Sequence, residues 1–394
     1  MDRRNFLAAA TATGVAGCFE KESGSQLGAS ATDAGADAKA SNDSTDAINE
    51  ALRKHRSVFV PDGNYRIDGT VEVRAAQKLT LAHNAVLQRY AKHSENTAPV
   101  VRVLGRRSHF FGGQIVTENP HPEGIVTLGH ESLDKSVNYN ANDWYFGHTT
   151  LRGTNAKDNV GIFVPSSQDA RHPDPSASNF FGLIEAATVI GADVGVRLTE
   201  VANAHRFVGV LFWNIGSVAY EMFGAYGNQV IGGFLHRSTD GVVGIKLNSS
   251  RSKNFHSSIQ NSFIGFGIEP GGKKSKGFII EKDCRNNTLF VQDNTYRAGI
   301  DHSQGKNFLM TSSETTVIPK AKIGSLTIGE EGEERKLEVT RRGLNVGGKV
   351  IGRQGIGVGN SQSATKPGSI VKKIEVFDAQ GRSLGYVPVY DTID

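Results

Sequence analysis

The feature that most constrains this chain is a short amphipathic segment that runs directly into two closely spaced strand-like segments. Residues 44–52 (STDAINEAL) have the pattern of a helix, with a capping residue at the start (Ser44 or Thr45) and apolar residues on one face. Residues 58–60 and 65–67 are predicted strands around a turn that contains proline and glycine. A lone helix before a chain rich in strands and glycine predicts a cap on stacked β structure, whose first coil would otherwise expose its core and an unpaired edge.

The sequence DSTDAINEAL followed by VFVPDGNYRI resembles the entry segment of the pectate-lyase-like right-handed parallel β-helix superfamily. It is most similar to the branch that contains rhamnogalacturonase-like enzymes and tailspikes. The resemblance implies an all-β fold, with a parallel β-helix solenoid over residues 42–310, a short N-terminal capping helix and a β-rich C-terminal extension over residues 311–394. It implies a function on polysaccharides, because this superfamily contains lyases, hydrolases, epimerases and non-catalytic adhesins.

The first residues are predicted to direct export. Residues 1–18 combine the pair Arg3-Arg4 with a short apolar run, as in a twin-arginine signal, and Cys18 occupies the position of a lipidated cysteine. An ordinary cleavable signal with an incidental cysteine is the alternative. Residues 19–41 are rich in small and polar residues and are predicted to form a flexible tether. We therefore expect an exported lipoprotein, periplasmic or at the cell surface, that meets the membrane only through its lipid anchor.

Self-similar segments indicate the coils of a solenoid. Four of them align with first residues 24, 25 and 33 positions apart, a period typical of coils with insertions. The four segments are 195–198 (GVRL), 219–222 (AYEM), 244–247 (GIKL) and 277–280 (GFII). If their apolar residues point inward, Arg197, Glu221 and Lys246 should form a charged row on one outer face, with adjacent strands about 4.8 Å apart.

Two further patterns concern the structure of the turns and of the C-terminus. Asn228, Asn254 and Asn287 are predicted to stack in successive turns, because asparagine tolerates the left-handed conformation and can bond to its neighbour. Residues 311–394 are predicted to form short strands that end in a hairpin with its turn at 378–381. This extension would cover the last coil, and assembly into a homotrimer is left open.

The charge of the chain favours an anionic partner. The formal charge is +4 and the isoelectric point is near 8.9, although scattered surface lysines account for these values equally well. No basic run with interleaved aromatic residues is present, so nucleic acid is not expected and an acidic polysaccharide is the predicted partner. The histidines and aspartates have no recognisable metal-ligand spacing, so no cofactor is predicted and calcium is left open.

The residue types between 197 and 256 fit β-elimination on a uronate. This reaction needs a cation or hydrogen-bond donor to stabilise the enolate-like charge, a base and an acid. The predicted catalytic residues are Arg197 and Lys246 for the carboxylate, His205 or His236 as base, Tyr226 as acid, and Glu221 for acid–base work. The predicted substrate contacts are Arg206, Arg237, Arg251, Lys253, His256 and, through ring stacking, Trp144. Trp213 lies in an apolar strand and is predicted to be in the core.

Other reactions are less well supported by the sequence. Hydrolysis needs paired carboxylates at defined separation, and no obvious pair or polygalacturonase-type signature is found. We therefore predict an enzyme, a polysaccharide lyase first and a glycoside hydrolase second. An epimerase that leaves the chain length unchanged, or a tailspike-like glycan-binding protein without turnover, is left open.

Overall fold

The computed structural model describes residues 28–129, 142–165, 179–199, 202–236, 238–249, 257–269, 271–293, 299–303, 306–311, 336–340, 343–347, 370–377 and 383–390. The predicted export signal and its lipidation site, Cys18, lie outside the described residues. The chain divides into two units, Met1–Ala321 and Lys322–Asp394. In the described part of the chain no helix is both long and apolar enough to cross a membrane.

In its described residues the first unit contains one helix, α1 (Thr45–Lys54), and three parallel ladders of strands. Ladder A consists of β1 (Ala29–Ser30), β3 (Ser57–Val60), β6 (Lys78–Leu81), β9 (His109–Phe111), β12 (Tyr145–Gly147), β15 (Leu183–Glu185), β18 (Arg206–Val208), β21 (Gln229–Ile231), β24 (Ser262–Ile268), β26 (Thr288–Asp293) and β28 (Phe308–Thr311). Ladder B consists of β2 (Lys39–Asp43), β4 (Gly63–Arg66), β7 (Ala85–Arg89), β10 (Gln114–Thr117), β13 (Thr150–Arg152), β16 (Thr188–Ile190), β19 (Leu211–Trp213) and β22 (Phe234–His236), and continues in the second halves of β24 and β26. Ladder C consists of β5 (Val71–Val73), β8 (Val101–Val103), β11 (Val126–Leu128), β14 (Val160–Val164), β17 (Val194–Thr199), β20 (Val218–Phe223), β23 (Val243–Asn248), β25 (Lys276–Ile280) and β27 (Ile300–Asp301).

The chain visits the ladders in the order A, B, C and then begins the next coil. Every pairing within a ladder is parallel and joins a strand to the strand one coil further on. Connections between parallel strands of one sheet are right-handed, which sets the hand of the coil. The first unit is therefore a right-handed parallel β-helix, as predicted from the entry segment.

The start of the solenoid differs from the prediction. Residues 29–30 and 39–41, predicted to lie in a flexible tether, form β1 and the first part of β2, which pair in parallel with β3 and β4. Helix α1 follows in the place of a ladder C strand and packs on β5. The helix begins after Ser44, whose side chain caps no helical amide and instead accepts a bond from the N–H of Asp37, at 2.9 Å.

Side chains of α1 form hydrogen bonds with backbone groups at the first edge of ladder C. The Asn49 amide donates to the carbonyl of Thr70 (2.8 Å) and accepts from the N–H of Glu72 (2.9 Å). The Thr45 hydroxyl accepts from the N–H of Gly69 at 3.0 Å. A helix cannot donate backbone bonds sideways to a strand, so these side chains stand in for the missing strand.

Stacked asparagines stabilise the corner that leads into ladder A. The side-chain oxygen of Asn261 accepts both from the N–H and from the amide of Asn228, at 3.0 Å. Asn287 and Asn307 continue the ladder in the same way over the following coils. The prediction is confirmed for Asn228 and Asn287. Asn254 lies outside the described residues, and Asn261 occupies the position between Asn228 and Asn287 that was predicted for Asn254.

The interior is apolar and aromatic. Tyr220 of ladder C lies at its centre, with four phenylalanine rings edge-on to it at centroid distances of 4.9 to 5.7 Å. Edge-to-face contacts at these distances are favourable for aromatic pairs. Rows of valine, isoleucine and leucine fill the remainder of the core.

Arg89, at the end of β7, is a fully buried cation that binds backbone carbonyls. Its Nε donates to the carbonyl of Ile67 at 3.1 Å, and its terminal nitrogens donate to carbonyls of Asn96, Ala98 and Gly69. Burial lowers the pKa of Arg89 to about 10, so the side chain stays charged at neutral pH. It ties together the loops that lead from ladder B to ladder C in two coils.

The described strands of the second unit form two antiparallel hairpins. Strand β29 (Lys336–Thr340) pairs with β30 (Gly343–Gly347), and β31 (Ile370–Phe377) pairs with β32 (Ser383–Tyr390). The final hairpin predicted from the sequence is therefore present, while its turn lies outside the described residues.

We expect Arg89→Met to destabilise the protein by about 3 kcal/mol or more, because several buried carbonyls lose their donor at once. Urea unfolding followed by circular dichroism measures the change. Arg74→Met is the matched control, since the Arg74 side chain is 63% exposed and pairs only with a nearby glutamate. Equal losses in both variants would contradict the structural role of Arg89.

Candidate active site

The predicted site residues are distributed around the whole coil. Arg206 begins a strand of ladder A and is exposed, His236 ends a strand of ladder B, and Arg197, Glu221 and Lys246 lie on ladder C. Residues close in the chain face different sides because each coil wraps around the core. A site on this fold is therefore built along one ladder, from residues about 25 positions apart.

The charged row predicted on ladder C is present. Arg197 pairs with Glu221 and Glu221 with Lys246 in adjacent strands. The Nε of Arg197 lies 2.9 Å from one carboxylate oxygen of Glu221, and the Nζ of Lys246 lies 3.5 Å from the other. The Glu221 side chain is only 7% exposed, so both cations are directed at an internal carboxylate. Their roles toward a substrate stay predictions.

His205 lies in the core, not on the surface. Its backbone N–H donates to the Asn228 side chain at 3.0 Å, and its Nδ1 accepts from the N–H of Gly182 at 2.9 Å. His205 thus extends the asparagine ladder by one coil. Burial lowers its pKa to about 3, which keeps the ring neutral. We do not retain His205 as a base, because the ring is fully buried and cannot reach a substrate.

The burial of the two tryptophans is the reverse of the prediction. Trp144 is 1% exposed, donates from Nε1 to the Asn179 side chain at 2.8 Å and stacks on His205 at 5.1 Å. Gly182 makes room for its ring, since a Cβ there would lie 2.1 Å from it. Trp144 therefore belongs to the core and offers no face to a sugar. Trp213, predicted in the core, is 38% exposed on ladder B.

His236, Glu269 and Trp213 form a cluster on the outer face of ladder B. The Nδ1 of His236 contacts a carboxylate oxygen of Glu269, one coil further on. Trp213, one coil earlier, meets the His236 ring edge-on at a centroid distance of 4.4 Å. When Nδ1 bonds to Glu269, Nε2 is the nitrogen left to a substrate. The cluster thus combines an oriented imidazole with an aromatic surface.

The cluster continues as a row toward the N-terminal coils. Trp213 pairs with Ile190, and Ile190 pairs with Arg152, whose side chain is exposed. We call Arg152, Ile190, Trp213, His236 and Glu269 the B row. Three strand spacings separate Arg152 from His236, or about 14 Å along the solenoid axis.

Sequence reasoning found His236 but missed Glu269, Trp213 and Arg152. An insertion makes the coil between His236 and Glu269 33 residues long, which hides their register. A signal was nevertheless present. In Phe234-Leu235-His236 and in Gly267-Ile268-Glu269 a buried apolar residue is followed by a polar one at the same corner.

The other predicted residues do not join the B row. Tyr226 is 39% exposed in the turn before β21 and bridges to Asn203 and Ile259, so it lies at the corner between ladders C and A. The remaining substrate contacts lie outside the described residues: Arg237, Arg251, Lys253 and His256. Over the described ranges no three histidine, cysteine, aspartate or glutamate side chains are grouped to hold a metal ion.

The comparisons with known proteins concern the fold. No family model and no curated protein matches this chain. Among solved structures it is similar to the surface adhesin PfbA of Streptococcus pneumoniae, at 12% identity over 74% of this chain and 87% of that chain, with a TM-score of 0.41. It is also similar to the A-module of the mannuronan C-5 epimerase AlgE6 of Azotobacter vinelandii, at 12% identity over 72% and 94%, with a TM-score of 0.35. A third is the endo-xylogalacturonan hydrolase of Aspergillus tubingensis, at 11% identity over 71% and 97%, with a TM-score of 0.31. At these identities and TM-scores the three likenesses carry no conclusion about the function of this chain.

We expect His205 to make the protein less stable as the pH falls. Its pKa is about 3 in the folded protein and about 6.5 when unfolded, so the unfolded state binds more protons between these values. Above pH 6.5 the free energy of unfolding does not depend on His205. At pH 5 protonation of His205 in the unfolded state lowers that free energy by about 2 kcal/mol. His205→Asn keeps a ladder acceptor for Gly182 and removes the titrating ring.

Urea unfolding at pH 7 and pH 5 measures this difference. The loss of unfolding free energy on acidification should be about 2 kcal/mol smaller in His205→Asn than in the parent chain. His121, whose pKa burial lowers to about 4, is present in both chains and contributes equally. The same loss in both chains would contradict a buried, neutral His205.

Proposed function

We propose that this protein is a polysaccharide lyase that binds an acidic polysaccharide along the B row and cleaves it by β-elimination. The observation that carries the proposal is the contact between His236 and Glu269 beside the exposed ring of Trp213. Export to the periplasm or cell surface, expected from residues 1–18, would bring the protein to such a polymer.

His236 would act as the base. Its Nε2 takes the proton from the carbon beside the uronate carboxylate, the electron pair forms the carbon–carbon double bond, and the bond to the leaving oxygen breaks. Glu269 holds Nδ1 and stabilises the imidazolium that results, as a carboxylate does for histidine in other proton-transfer sites. The imidazolium or water returns a proton to the leaving oxygen.

Trp213 and Arg152 would hold the polymer. The exposed indole offers an apolar face on which the C–H face of a sugar ring can stack. Arg152 lies about 14 Å from His236 along the solenoid axis, and its cation can pair there with the carboxylate of a neighbouring uronate. An extended polymer parallel to the solenoid axis would meet both side chains.

Hydrolysis is the second candidate and has less support. It requires two carboxylates about 5 to 9.5 Å apart. In the B row Glu269 is the one carboxylate, and it is engaged by His236. A glycan-binding protein without turnover would use the same Trp213 and Arg152, and the first experiment below separates it from an enzyme.

We expect His236→Ala to lower turnover about 100-fold or more, because it removes the general base. Ultraviolet absorbance of the unsaturated uronate, measured over a panel of acidic polysaccharides, reports the reaction. His83→Ala is the control, since His83 is an exposed histidine in a turn of a distant coil. Glu269→Gln should lower turnover while preserving binding of the polymer.

Each outcome of this assay has a defined meaning. Absorbance that rises with the parent chain and is lost in His236→Ala supports the lyase. Release of reducing sugar without absorbance would replace it by a hydrolase. Binding of a polymer with neither signal would leave an epimerase or an adhesive protein, and proton exchange at the uronate carbon distinguishes these two.

We expect Trp213→Ala to weaken polymer binding about five- to tenfold, because the sugar loses its aromatic contact. Leu211→Ala is the matched control, since Leu211 lies on the same strand with the same 38% exposure but outside the B row. Affinity electrophoresis in gels containing the polymer compares the two. Equal weakening would show that the polymer does not follow the B row.

A further inference from the structure

Ladder A carries a continuous surface of four rings that the B row does not use. His109 and Phe111 come from β9, Tyr145 comes from β12, and His148 directly follows β12. The ring centroids lie 5.8 Å apart for His109 and Tyr145, 6.4 Å for Phe111 and Tyr145, and 5.0 Å for Phe111 and His148. We call these four residues the aromatic platform.

The rings lie over the sheet and remain open to solvent. Phe111 is 37% exposed and stacks almost parallel to Tyr145, with an interplanar angle of 17°. Gly147 follows Phe111 in register, and a Cβ there would lie 2.4 Å from the Tyr145 hydroxyl oxygen. The missing side chain of Gly147 therefore lets Tyr145 fold flat across the strand.

Polar groups border the platform on both sides. The Tyr145 hydroxyl donates to Oε2 of Glu185, one coil further on, at 3.0 Å. Burial and this carboxylate raise the pKa of Tyr145, so the phenol keeps its proton and its hydrogen bond. Lys78, one coil earlier, pairs in register with His109 and is exposed. The bond to Tyr145 uses one oxygen of Glu185 and leaves Oε1 as an acceptor at the edge of the rings.

We propose that the aromatic platform is a second glycan-binding site, on a different face from the B row, and that it takes a neutral pyranoside. The nearly parallel rings of Phe111 and Tyr145 give a flat surface that fits the C–H face of a pyranose ring. The rings of His109 and His148 are tilted by 47° and 46° at its border, where they and the carboxylate of Glu185 offer polar atoms to the hydroxyl groups. The carboxylate of Glu185 disfavours a uronate at this position because like charges repel.

The polar border also distinguishes the platform from an ordinary apolar contact surface. Ile231, Ile264 and Phe290 form an exposed row in later coils of the same ladder, at 42%, 47% and 50% exposure. That row consists of two isoleucines and one phenylalanine ring. The platform instead combines four rings with a fixed carboxylate, which is the composition expected of a site for a sugar.

The test is isothermal titration of the full chain with neutral hexasaccharides of glucose, mannose, galactose and xylose. The titration measures binding, and neutral hexasaccharides carry no uronate for β-elimination, so failure of the lyase proposal does not affect the result. We expect at least one hexasaccharide to bind, and Phe111→Ala to raise its Kd about tenfold. Phe290→Ala is the matched control, an exposed phenylalanine of the same ladder, and should leave the Kd unchanged.

The results that would overturn the proposal are equally defined. The platform is not a glycan site if no hexasaccharide binds, or if Phe111→Ala and Phe290→Ala have the same effect. If Phe111→Ala changes the molecular mass measured by analytical ultracentrifugation and not the Kd for the hexasaccharide, the platform is a contact between copies of the chain. Should Phe111→Ala not fold, Phe111→Leu keeps the apolar volume, removes the flat ring and is expected to raise the Kd likewise.

Discussion

The pairing of each coil with the next, in parallel and in register, is the interaction on which the rest of this structure depends. Many of the strands are only three residues long, so one strand pair contributes few backbone hydrogen bonds. Side chains at the corners extend the pairing, as Asn261 does between Asn228 and Asn287. Since a buried polar group is costly when unpaired, a corner without such a side chain would weaken two coils at once.

The same register decides how a functional surface can be assembled. Side chains separated by one coil lie about 4.8 Å apart on a ladder, whereas chain neighbours at a corner diverge onto different faces. His236 thus meets Trp213 and Glu269, which are a coil away on either side, and not Tyr226, which is much closer in sequence. The solenoid presents rows parallel to its axis, and rows are suited to an extended polymer.

The sequence was sufficient for the fold and for one outer row. Arg197, Glu221 and Lys246 were placed correctly because no long insertion separates their coils. Glu269 was missed because its coil contains an insertion, and Asn261 was missed for the same reason.

The inward or outward direction of a side chain at a corner was not readable from the sequence. Apolar alternation holds within a strand and lapses at the corners. His205 is polar and was assigned to the surface, yet it points inward because the ladder position requires an acceptor for Gly182. The Trp144 ring also lies in the core, since the space left by Gly182 accommodates it.

Helix α1 has a consequence beyond the stability of the first coil. A parallel ladder is open at both ends, and an open end can recruit any strand that offers matching backbone groups. With the Asn49 side chain bonded to both, the carbonyl of Thr70 and the N–H of Glu72 at the first strand of ladder C are occupied and are not offered to a foreign strand. The amide of one asparagine therefore takes the place of a neighbouring strand at this edge of ladder C, and it opposes the addition of a further strand there.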